Sequence, residues 1–307
     1  MLLMKKLIMI FTPVILFLLI NLSYLETINL RYVYPNRYKH NLFPGENEVF
    51  DYVVTGHSQA RDSFDFELIS KSGINLGLSS QDIYWSIKML NHYSDYYNDN
   101  TRIIIELSHQ NFCLEPQFKR TFYIPLGFPR SQIKLSLTEY YLAKFFPLVG
   151  MNGFNILRGN QTHFANIDSE FETEDELIAN SKKYLASVID TQINCSYEIQ
   201  NLNREILSEL IEEQIQLGRE VILYSAPLHE VVSNNIDFSK SLQKQILKEN
   251  IEYLTNKYSV AYYDFSYLAE VSSNYFYFRN ANHLNSEGAK RFMEIFFYNV
   301  YNSNDIE

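Results

Sequence analysis

Short apolar runs alternate with longer amphipathic segments from residue 49 of this 307-residue sequence onward. The apolar runs lie at residues 49–55, 74–76, 102–107, 220–225 and 260–263. The third run contains Ile103-Ile104-Ile105, as expected of a strand that a parallel sheet buries on both faces. Segments with apolar residues at helical spacing lie at 174–189, 196–217, 241–258 and 286–301. The alternation predicts an α/β domain with a central parallel sheet and helices on both faces.

A longer apolar run occupies residues 7–25, directly after Lys5 and Lys6. A run of this length can cross the hydrocarbon core of a membrane. The two lysines favour a cytoplasmic N-terminus, which would place the rest of the chain outside the cytoplasm. We therefore expect a cytoplasmic stub and transmembrane signal anchor over residues 1–25 and a linker over 26–48. A cleaved signal peptide is the alternative.

Charge and cysteine content exclude several classes of site. The formal net charge is −10, so the chain lacks the basic surface that nucleic-acid binding requires. Cys113 and Cys195 show no zinc-ligand spacing. They form either one disulfide in an oxidising compartment or two unpaired thiols. We expect neither a metal nor a cofactor.

Residues able to carry chemistry follow the first predicted strand and precede the last predicted helix. Gly56, His57 and Ser58 come directly after the strand, where a glycine lets the serine project above the sheet edge. By itself this pattern also fits a serine that caps a helix. His283 lies in a polar loop at the start of the final helix. Because serine is a weak nucleophile until a base takes its proton, the combination predicts nucleophilic catalysis.

Four sequence blocks resemble those of the SGNH (GDSL-type) hydrolases. The blocks read VVTGHSQARDSF, INLGLSSQDIY, IIIELSHQNF and YFYFRNANHLNSEGAKRF, in the order and spacing of that family. The resemblance covers roughly residues 49–302, with an insertion at about 115–195, and the first and last blocks are the specific ones. The overall pattern is similar to membrane-anchored bacterial cell-envelope members, of the DltD-like and alginate O-acetylation-like kind. The resemblance implies a three-layer αβα sandwich of flavodoxin-like topology.

The resemblance also implies roles for individual residues. Ser58 would be the nucleophile and His283 the general base and acid. The backbone N–H groups of Ser58 and Gly77 would form part of the oxyanion hole. The third oxyanion donor, usually an asparagine side chain, falls on Gln110, with Asn111 or His109 as substitutes.

One position departs from the family pattern at the triad itself. The aspartate that normally lies three residues before the histidine is replaced by Asn280. Asparagine can orient the imidazole but cannot stabilise its positive charge, and the corresponding change in a serine protease costs about 10⁴-fold. A backbone carbonyl could hold the ring, another carboxylate such as Asp264 or Glu287 could reach it, or the protein could be weakly active or inactive.

Further polar residues near these blocks are candidates for substrate binding. Arg61 follows Ser58 by one helical turn and would bind a substrate anion or pair with Asp62. His109 and His229 follow predicted strands and so face the functional edge of the sheet, where His229 either lines the groove or is solvated. His57 is expected to be a packing or polar residue at the strand end.

Together these patterns predict an enzyme outside the cytoplasm. The leading hypothesis is a membrane-anchored serine esterase or O-acyltransferase that acts on a cell-envelope polysaccharide or glycolipid through an acyl-Ser58 intermediate. The resemblance implies a membrane-bound acyltransferase as a partner. The alternative, supported by Asn280, is a protein of the same fold with weak or no activity. Such a protein would bind carbohydrate or assist a polysaccharide-modification complex.

Overall fold

A computed structural model describes the chain at residues 11–20, 22–23, 48–79, 81–117, 121–126, 128–145, 173–192, 195–235 and 242–301. The chain divides into two compact units. The first comprises Met1–Tyr38 and Phe118–Ile167, and the second comprises Lys39–Gln117 and Asp168–Glu307. The predicted catalytic residues all belong to the second unit.

The second unit is built on a five-stranded parallel sheet. Its strands are β1 (Tyr52–Thr55), β2 (Gly73–Asn75), β3 (Arg102–Glu106), β4 (Val221–Ser225) and β5 (Ala261–Asp264). The strand order is β2-β1-β3-β4-β5, and every neighbouring pair is parallel. This is the flavodoxin-like order of doubly wound sheets, so the predicted α/β class with a central parallel sheet is confirmed.

The strand order places the turns after β1 and β3 side by side. Thr55 of β1 lies in register with Ile105 of β3, so both strands end at the same edge of the sheet. The chain leaves β1 toward β2 on one side, whereas β3 leads to β4 on the other side. In open parallel sheets this reversal of direction opens a crevice at the carboxyl ends of the strands. Ser58 therefore starts its helix at the topological switch point.

Helices cover both faces of the sheet. The helices of this unit are α1 (Ser58–Ser63), α2 (Ile83–His92), α3 (His109–Cys113), α6 (Glu174–Gln192), α7 (Tyr197–Gln216), α8 (Glu230–Asn235), α9 (Leu242–Tyr258), α10 (Ala269–Ser272) and α11 (Ser286–Tyr301). On one face, Phe292 and Phe296 of α11 pack with Phe64 and Tyr224 in an aromatic core. The other face contacts α2, α7 and α9.

The described residues of the first unit form short helices. A 3-10 helix, Thr121–Leu126, precedes α4 (Arg130–Ile133) and α5 (Leu137–Phe145). The ring of Tyr123 packs edge-on against Phe128, and the Tyr140 hydroxyl donates to the Phe128 carbonyl at 3.2 Å. Because aromatic residues fill these contacts, the Phe and Tyr content of the region is partly explained by packing.

The N-terminal apolar run is only partly described. Residues 11–20 and 22–23 are helical, and their apolar side chains are 40% to 60% exposed. Within the described ranges, no helix combines the length and the hydropathy needed to span a bilayer. The predicted anchor begins and ends outside those ranges, so it stays a prediction.

A disulfide joins Cys113 to Cys195, with 4.7 Å between their Cα atoms. Cys113 is the last residue of α3, and Cys195 lies just before α7. The sequence left a bridge and two free thiols open, and the structure contains the bridge. It ties the helix that follows β3 to the helix that packs beside it.

Candidate active site

The structure brings Ser58, His283 and Asn280 into one hydrogen-bonded line. The Ser58 hydroxyl donates to His283 Nε2 at 2.7 Å, and His283 Nδ1–H donates to Asn280 Oδ1 at 2.7 Å. The backbone N–H of Asn282 converges on the same Asn280 oxygen at 3.2 Å. Because the Asn282 N–H can only donate, the Asn280 atom that it shares with the ring is the amide oxygen, which can only accept. The imidazole therefore carries its proton on Nδ1 and turns its Nε2 lone pair toward Ser58.

A small hairpin explains why residues three apart in sequence meet. Strands β6 (Phe278–Asn280) and β7 (His283–Leu284) are antiparallel, with Asn280 opposite His283. Residues directly opposite each other in such a pair have neighbouring side chains. Helix α11 then starts close behind the hairpin, where a Cβ at Gly288 would collide with the Tyr277 carbonyl. The Gly288 N–H is capped by Asn285 Oδ1 at 3.0 Å, which fixes the helix start.

The electrostatic setting disfavours a charged imidazole at His283. Burial lowers the pKa of His283 to about 3, and the positive charges of Arg61 and Arg279 act in the same direction. The carboxylate of Asp62 opposes this shift but does not overcome it. His283 is therefore unprotonated at neutral pH, as a base must be, while the imidazolium that would form if it took a proton lacks a dedicated carboxylate partner.

A buried ionic cluster of two arginines and one aspartate lies beside the triad. Arg61 makes a bidentate pair with Asp62, at 2.8 Å from Nε and 2.7 Å from Nη2. The Arg279 guanidinium donates to the same carboxylate, and Arg61 Nη1 donates to the Ser79 hydroxyl. Burial opposes ionisation of Asp62, but the charge and hydrogen bonds of Arg61 outweigh it, so the pKa of Asp62 lies well below its ordinary value.

This cluster decides between the two roles predicted for Arg61, binding of a substrate anion and pairing with Asp62. Its side chain is 6% exposed, and its Nε, Nη1 and Nη2 atoms are all bonded within the protein. The predicted contact with a substrate anion is thus replaced by the pairing with Asp62. Arg279, which the sequence did not single out, is the second cation of the cluster. It lies next to Asn280 and joins the hairpin to α1.

Two backbone donors were expected in the oxyanion hole. The Ser58 N–H lies in the first turn of α1, where helix geometry supplies no intrahelical acceptor, so it is placed to serve this role. The Gly77 N–H donates instead to Asn75 Oδ1 at 2.9 Å. Gly77 is close to α1, because a Cβ there would lie 2.7 Å from the Arg61 backbone nitrogen. An oxyanion role for Gly77 stays a prediction that requires its amide to change partner.

The candidates for the third oxyanion donor sit in α3. Gln110 is half-buried in the first turn of this helix, directly after β3. Asn111 is 4% exposed, and its Oδ1 accepts from the Ser108 N–H at 2.6 Å, which makes it a capping residue. The side chain of His109 lies outside the described residues. Gln110 is thus the candidate whose amide is not engaged in capping.

Three other residues that the sequence offered as site candidates do not contact Ser58, His283 or Asn280. His229 is 2% exposed, packs edge-on against Phe278, and accepts the Val231 N–H at Nδ1. His229 is therefore a core histidine, neither lining a groove nor solvated, the two alternatives that the sequence left open, and burial lowers its pKa. Asp264 is exposed and accepts from the N–H and hydroxyl of Ser266. Glu287 is also exposed, so neither carboxylate takes the place of the missing triad aspartate.

Sequence reasoning missed Glu106, the last residue of β3. Its side chain is fully buried, and burial raises its pKa to about 8. The Gly56 backbone passes so close that a Cβ there would lie 2.7 Å from Glu106 Cβ. Gly56 also has a φ of +149°, which favours glycine. A charged residue ending an otherwise apolar Ile-Ile-Ile strand was the signal that could have identified this carboxyl.

Comparisons with known proteins give a distant structural likeness. No family model and no curated protein matches the sequence. A provisionally assigned acylhydrolase of Bacteroides fragilis aligns at 13% identity and a TM-score of 0.40, over 90% of this chain and 96% of its own. A provisionally assigned GDSL-like lipase of Parabacteroides merdae aligns at 8% identity and a TM-score of 0.36, over 83% of this chain and 97% of its own. Likenesses this distant carry no argument about function, which depends on the site geometry.

Proposed function

We propose that this protein is a membrane-anchored, extracytoplasmic serine esterase or O-acyltransferase of the SGNH type. The line from Ser58 through His283 to Asn280, with two contacts of 2.7 Å, carries the proposal. A serine, a base bonded to it and a third group that orients the base are the parts that activated serine nucleophiles share. The substrate class, an ester on a cell-envelope polysaccharide or glycolipid, comes from the sequence resemblance.

The proposed mechanism moves each proton through His283 Nε2. His283 Nε2 takes the Ser58 proton as Oγ bonds to the acyl carbon, and the oxygen of the tetrahedral intermediate faces the Ser58 N–H. The ester C–O bond then breaks, and Nε2–H gives its proton to the departing alkoxide. Water or a sugar hydroxyl then loses its proton to Nε2 and attacks the acyl carbon of the acyl-serine. The acyl–Oγ bond breaks, the acid or the new ester leaves, and Nε2–H returns its proton to Ser58 Oγ. Whether water or sugar reacts depends on how well the bound acceptor excludes water.

Two features support the proposed location. The apolar run at 7–25 is long enough for an anchor, and residues 11–20 present exposed apolar side chains. The Cys113–Cys195 disulfide is of a kind that persists in oxidising compartments outside the cytoplasm. A membrane-bound acyltransferase that hands on acyl groups remains the proposed partner, on the resemblance alone.

A second candidate function rests on a specific observation. Asn280 is uncharged, and the pKa of His283 is lowered to about 3, so the imidazolium of the transition state is poorly stabilised. A protein with this site could bind carbohydrate or assist a modification complex without turning over esters. Against this stands the retention of the Ser58–His283 contact in a productive tautomer.

The test is covalent labelling of the full-length protein in detergent with a fluorophosphonate probe. The matched variants are Ser58→Ala, which removes the proposed nucleophile, and Ser94→Ala, which removes one exposed hydroxyl just after α2. We expect labelling of the wild type, its complete loss in Ser58→Ala and its retention in Ser94→Ala. No labelling of folded wild-type protein would reject the enzyme and favour the binding function, which carbohydrate titration would then measure.

A further inference from the structure

A second polar cluster adjoins Ser58 through its chain neighbour His57. It consists of His57 from the turn after β1, and Glu106, Ser108 and Asn111 from the end of β3 and the start of α3; we call it the inter-turn cluster. His57, Glu106 and Asn111 are each 4% exposed or less. The cluster lies outside the Ser58–His283–Asn280 line, and burying so many polar groups is costly unless they are bonded to one another.

Its hydrogen bonds run in one direction, from the nucleophile turn to the helix that carries Gln110. The Gln59 N–H donates to His57 Nδ1 at 3.2 Å, so the proton of a neutral His57 ring lies on Nε2. His57 Nε2–H can then donate to Ser108 Oγ at 2.8 Å. The Ser108 hydroxyl in turn donates to Asn111 Oδ1 at 3.0 Å. One ring thus links the turns that hold two of the three predicted oxyanion donors, Ser58 and Gln110.

Glu106 also contacts His57, through both oxygens of its carboxyl group. Its Oε2 accepts the His57 backbone N–H at 3.3 Å, which holds the residue next to the nucleophile. Its Oε1 is 3.4 Å from His57 Nε2 and has no hydrogen-bond partner among the described residues. Nε2–H therefore faces two oxygens, the nearer on Ser108 and the farther on Glu106. Which oxygen it bonds decides whether the two turns stay linked.

We propose that His57 and Glu106 are positioning residues that hold the Ser58 turn and the Gln110 turn in register. In that register the Ser58 N–H and the Gln110 side chain act on the same oxyanion. The inference rests on the proposed function, because it concerns how that site is assembled. Neither residue touches the reacting atoms, and each acts through Ser58 or through α3. A misplacement of about 1 Å in such a site costs on the order of 10²-fold in rate.

The protonation state of Glu106 supports this arrangement. Burial raises the pKa of Glu106 to about 8, so at neutral pH it is an uncharged acid, and Nε2–H stays with Ser108. Besides His57, the ionisable groups acting on or with it are Tyr184 of α6, Tyr224 of β4 and Tyr262 of β5. Burial raises the pKa of all three phenols, so they stay neutral when Glu106 ionises. An ionised Glu106 would draw Nε2–H away from Ser108 and release α3.

The test is the pH dependence of fluorophosphonate labelling in the full-length protein, with Glu106→Gln as the conservative variant. Glutamine imitates the neutral acid but cannot ionise. We expect the maximal labelling rate of the wild type to fall about 10-fold or more between pH 7.5 and 9.5. The same fall should be absent in Glu106→Gln. An identical alkaline fall in both proteins would overturn the proposal, because a merely structural glutamate gives no such difference.

A second variant tests the His57 ring independently of the Glu106 carboxyl. His57→Asn keeps a side chain that can cap the Gln59 N–H, as asparagine does well, but cannot reach Ser108. We expect its maximal labelling rate to fall about 10- to 100-fold with little change in the probe concentration at half-maximal rate. The control His92→Asn, at the end of α2, should label like wild type. A His57→Asn rate within about twofold of wild type would overturn the proposal, whereas a wild type unreactive at every pH would reject the proposed function itself.

Discussion

Two histidines, His57 and His283, adjoin Ser58, and their ring nitrogens have opposite donor and acceptor roles. His283 Nε2 lies 2.7 Å from the hydroxyl of Ser58, and His57 Nε2 lies 2.8 Å from the hydroxyl of Ser108. At His283 the other ring nitrogen donates to an oxygen, whereas at His57 it accepts a backbone N–H. The first ring therefore offers a lone pair to its serine, and the second offers a proton.

The difference shows that proximity to a serine does not make a histidine a base. The partner of Nδ1 decides which tautomer is present, and the tautomer decides whether Nε2 can take a proton. Asn280 holds His283 in the tautomer whose Nε2 lone pair faces Ser58, and the α1 backbone holds His57 in the tautomer whose Nε2–H faces Ser108. The charge next to each ring differs as well, because two arginines and one aspartate adjoin His283, whereas one buried acid adjoins His57.

The strongest test of this comparison replaces each ring in turn. His283→Asn removes the base, so we expect the fluorophosphonate labelling rate to fall by about 10⁴-fold or more. His57→Asn, which removes only the link between turns, should lose about 100-fold at most. Equal losses in the two variants, with both proteins folded by circular dichroism, would mean that the two rings do not differ in role.

Restoring the missing carboxylate should sharpen the difference further. Asn280→Asp should raise the pKa of His283 and increase the labelling rate, by about 10- to 1,000-fold, because the ring already has the productive tautomer. The acid limb of the pH–rate profile should move up from the region of pH 3, which the lowered pKa of His283 implies. The control Asn282→Asp adds the same charge two residues farther along the chain, where the side chain is not the partner of His283 Nδ1. A comparable gain in that control would mean that general electrostatics, and not the 280 side chain, limits the rate.

The two sites also predict opposite effects of pH on stability. The pKa of Glu106 is raised to about 8 in the folded chain from 4.5, so its contribution to stability is complete below pH 4.5 and declines as pH rises through 8. In Glu106→Gln that decline should be absent, a difference on the order of a few kcal/mol at pH 9. Urea unfolding across this range measures it, and parallel curves for wild type and variant would exclude the effect.

At His283 the dependence of folding stability on pH has the opposite sign. Its pKa falls from 6.5 to about 3 on folding, so stability is complete above pH 6.5 and is lost as pH falls toward 3. His283→Asn should lose less stability over this acid range. We expect a smaller effect than at Glu106, because His283 is only half-buried and water reaches part of the ring. If the variant is as acid-sensitive as wild type, His283 is not the group that titrates.

Much of the fold follows from periodicity in the sequence. The apolar run at 102–107 became β3, Arg102–Glu106, and the helical spacing at 286–301 became α11 with the same bounds. Buried strands and amphipathic helices reveal themselves locally, because each burial pattern repeats along one stretch of chain. The hairpin of β6 and β7 was missed because two short strands of three and two residues leave no such pattern.

The site was predictable only in part. The meeting of Ser58 and His283 follows from two loops at one sheet edge, and the structure brings them together, while their catalytic roles remain to be measured. The bond between Arg279 and Asp62 spans 217 residues and depends on how the hairpin docks on α1. The tautomers of both histidines depend on single hydrogen bonds. Neither the Arg279–Asp62 bond nor the two tautomers can be read from local residue spacing.

The Cys113–Cys195 bridge, described above as a link between two helices, also changes the covalent topology of the chain. It closes a ring around the 82-residue separation between its cysteines, which contains the Phe118–Ile167 part of the first unit. A protease that cuts once inside this ring produces two polypeptides that remain one molecule until a reductant is added. Ser58 and His283, the proposed nucleophile and base, lie on opposite sides of the ring in sequence, so a nicked protein would keep them covalently connected.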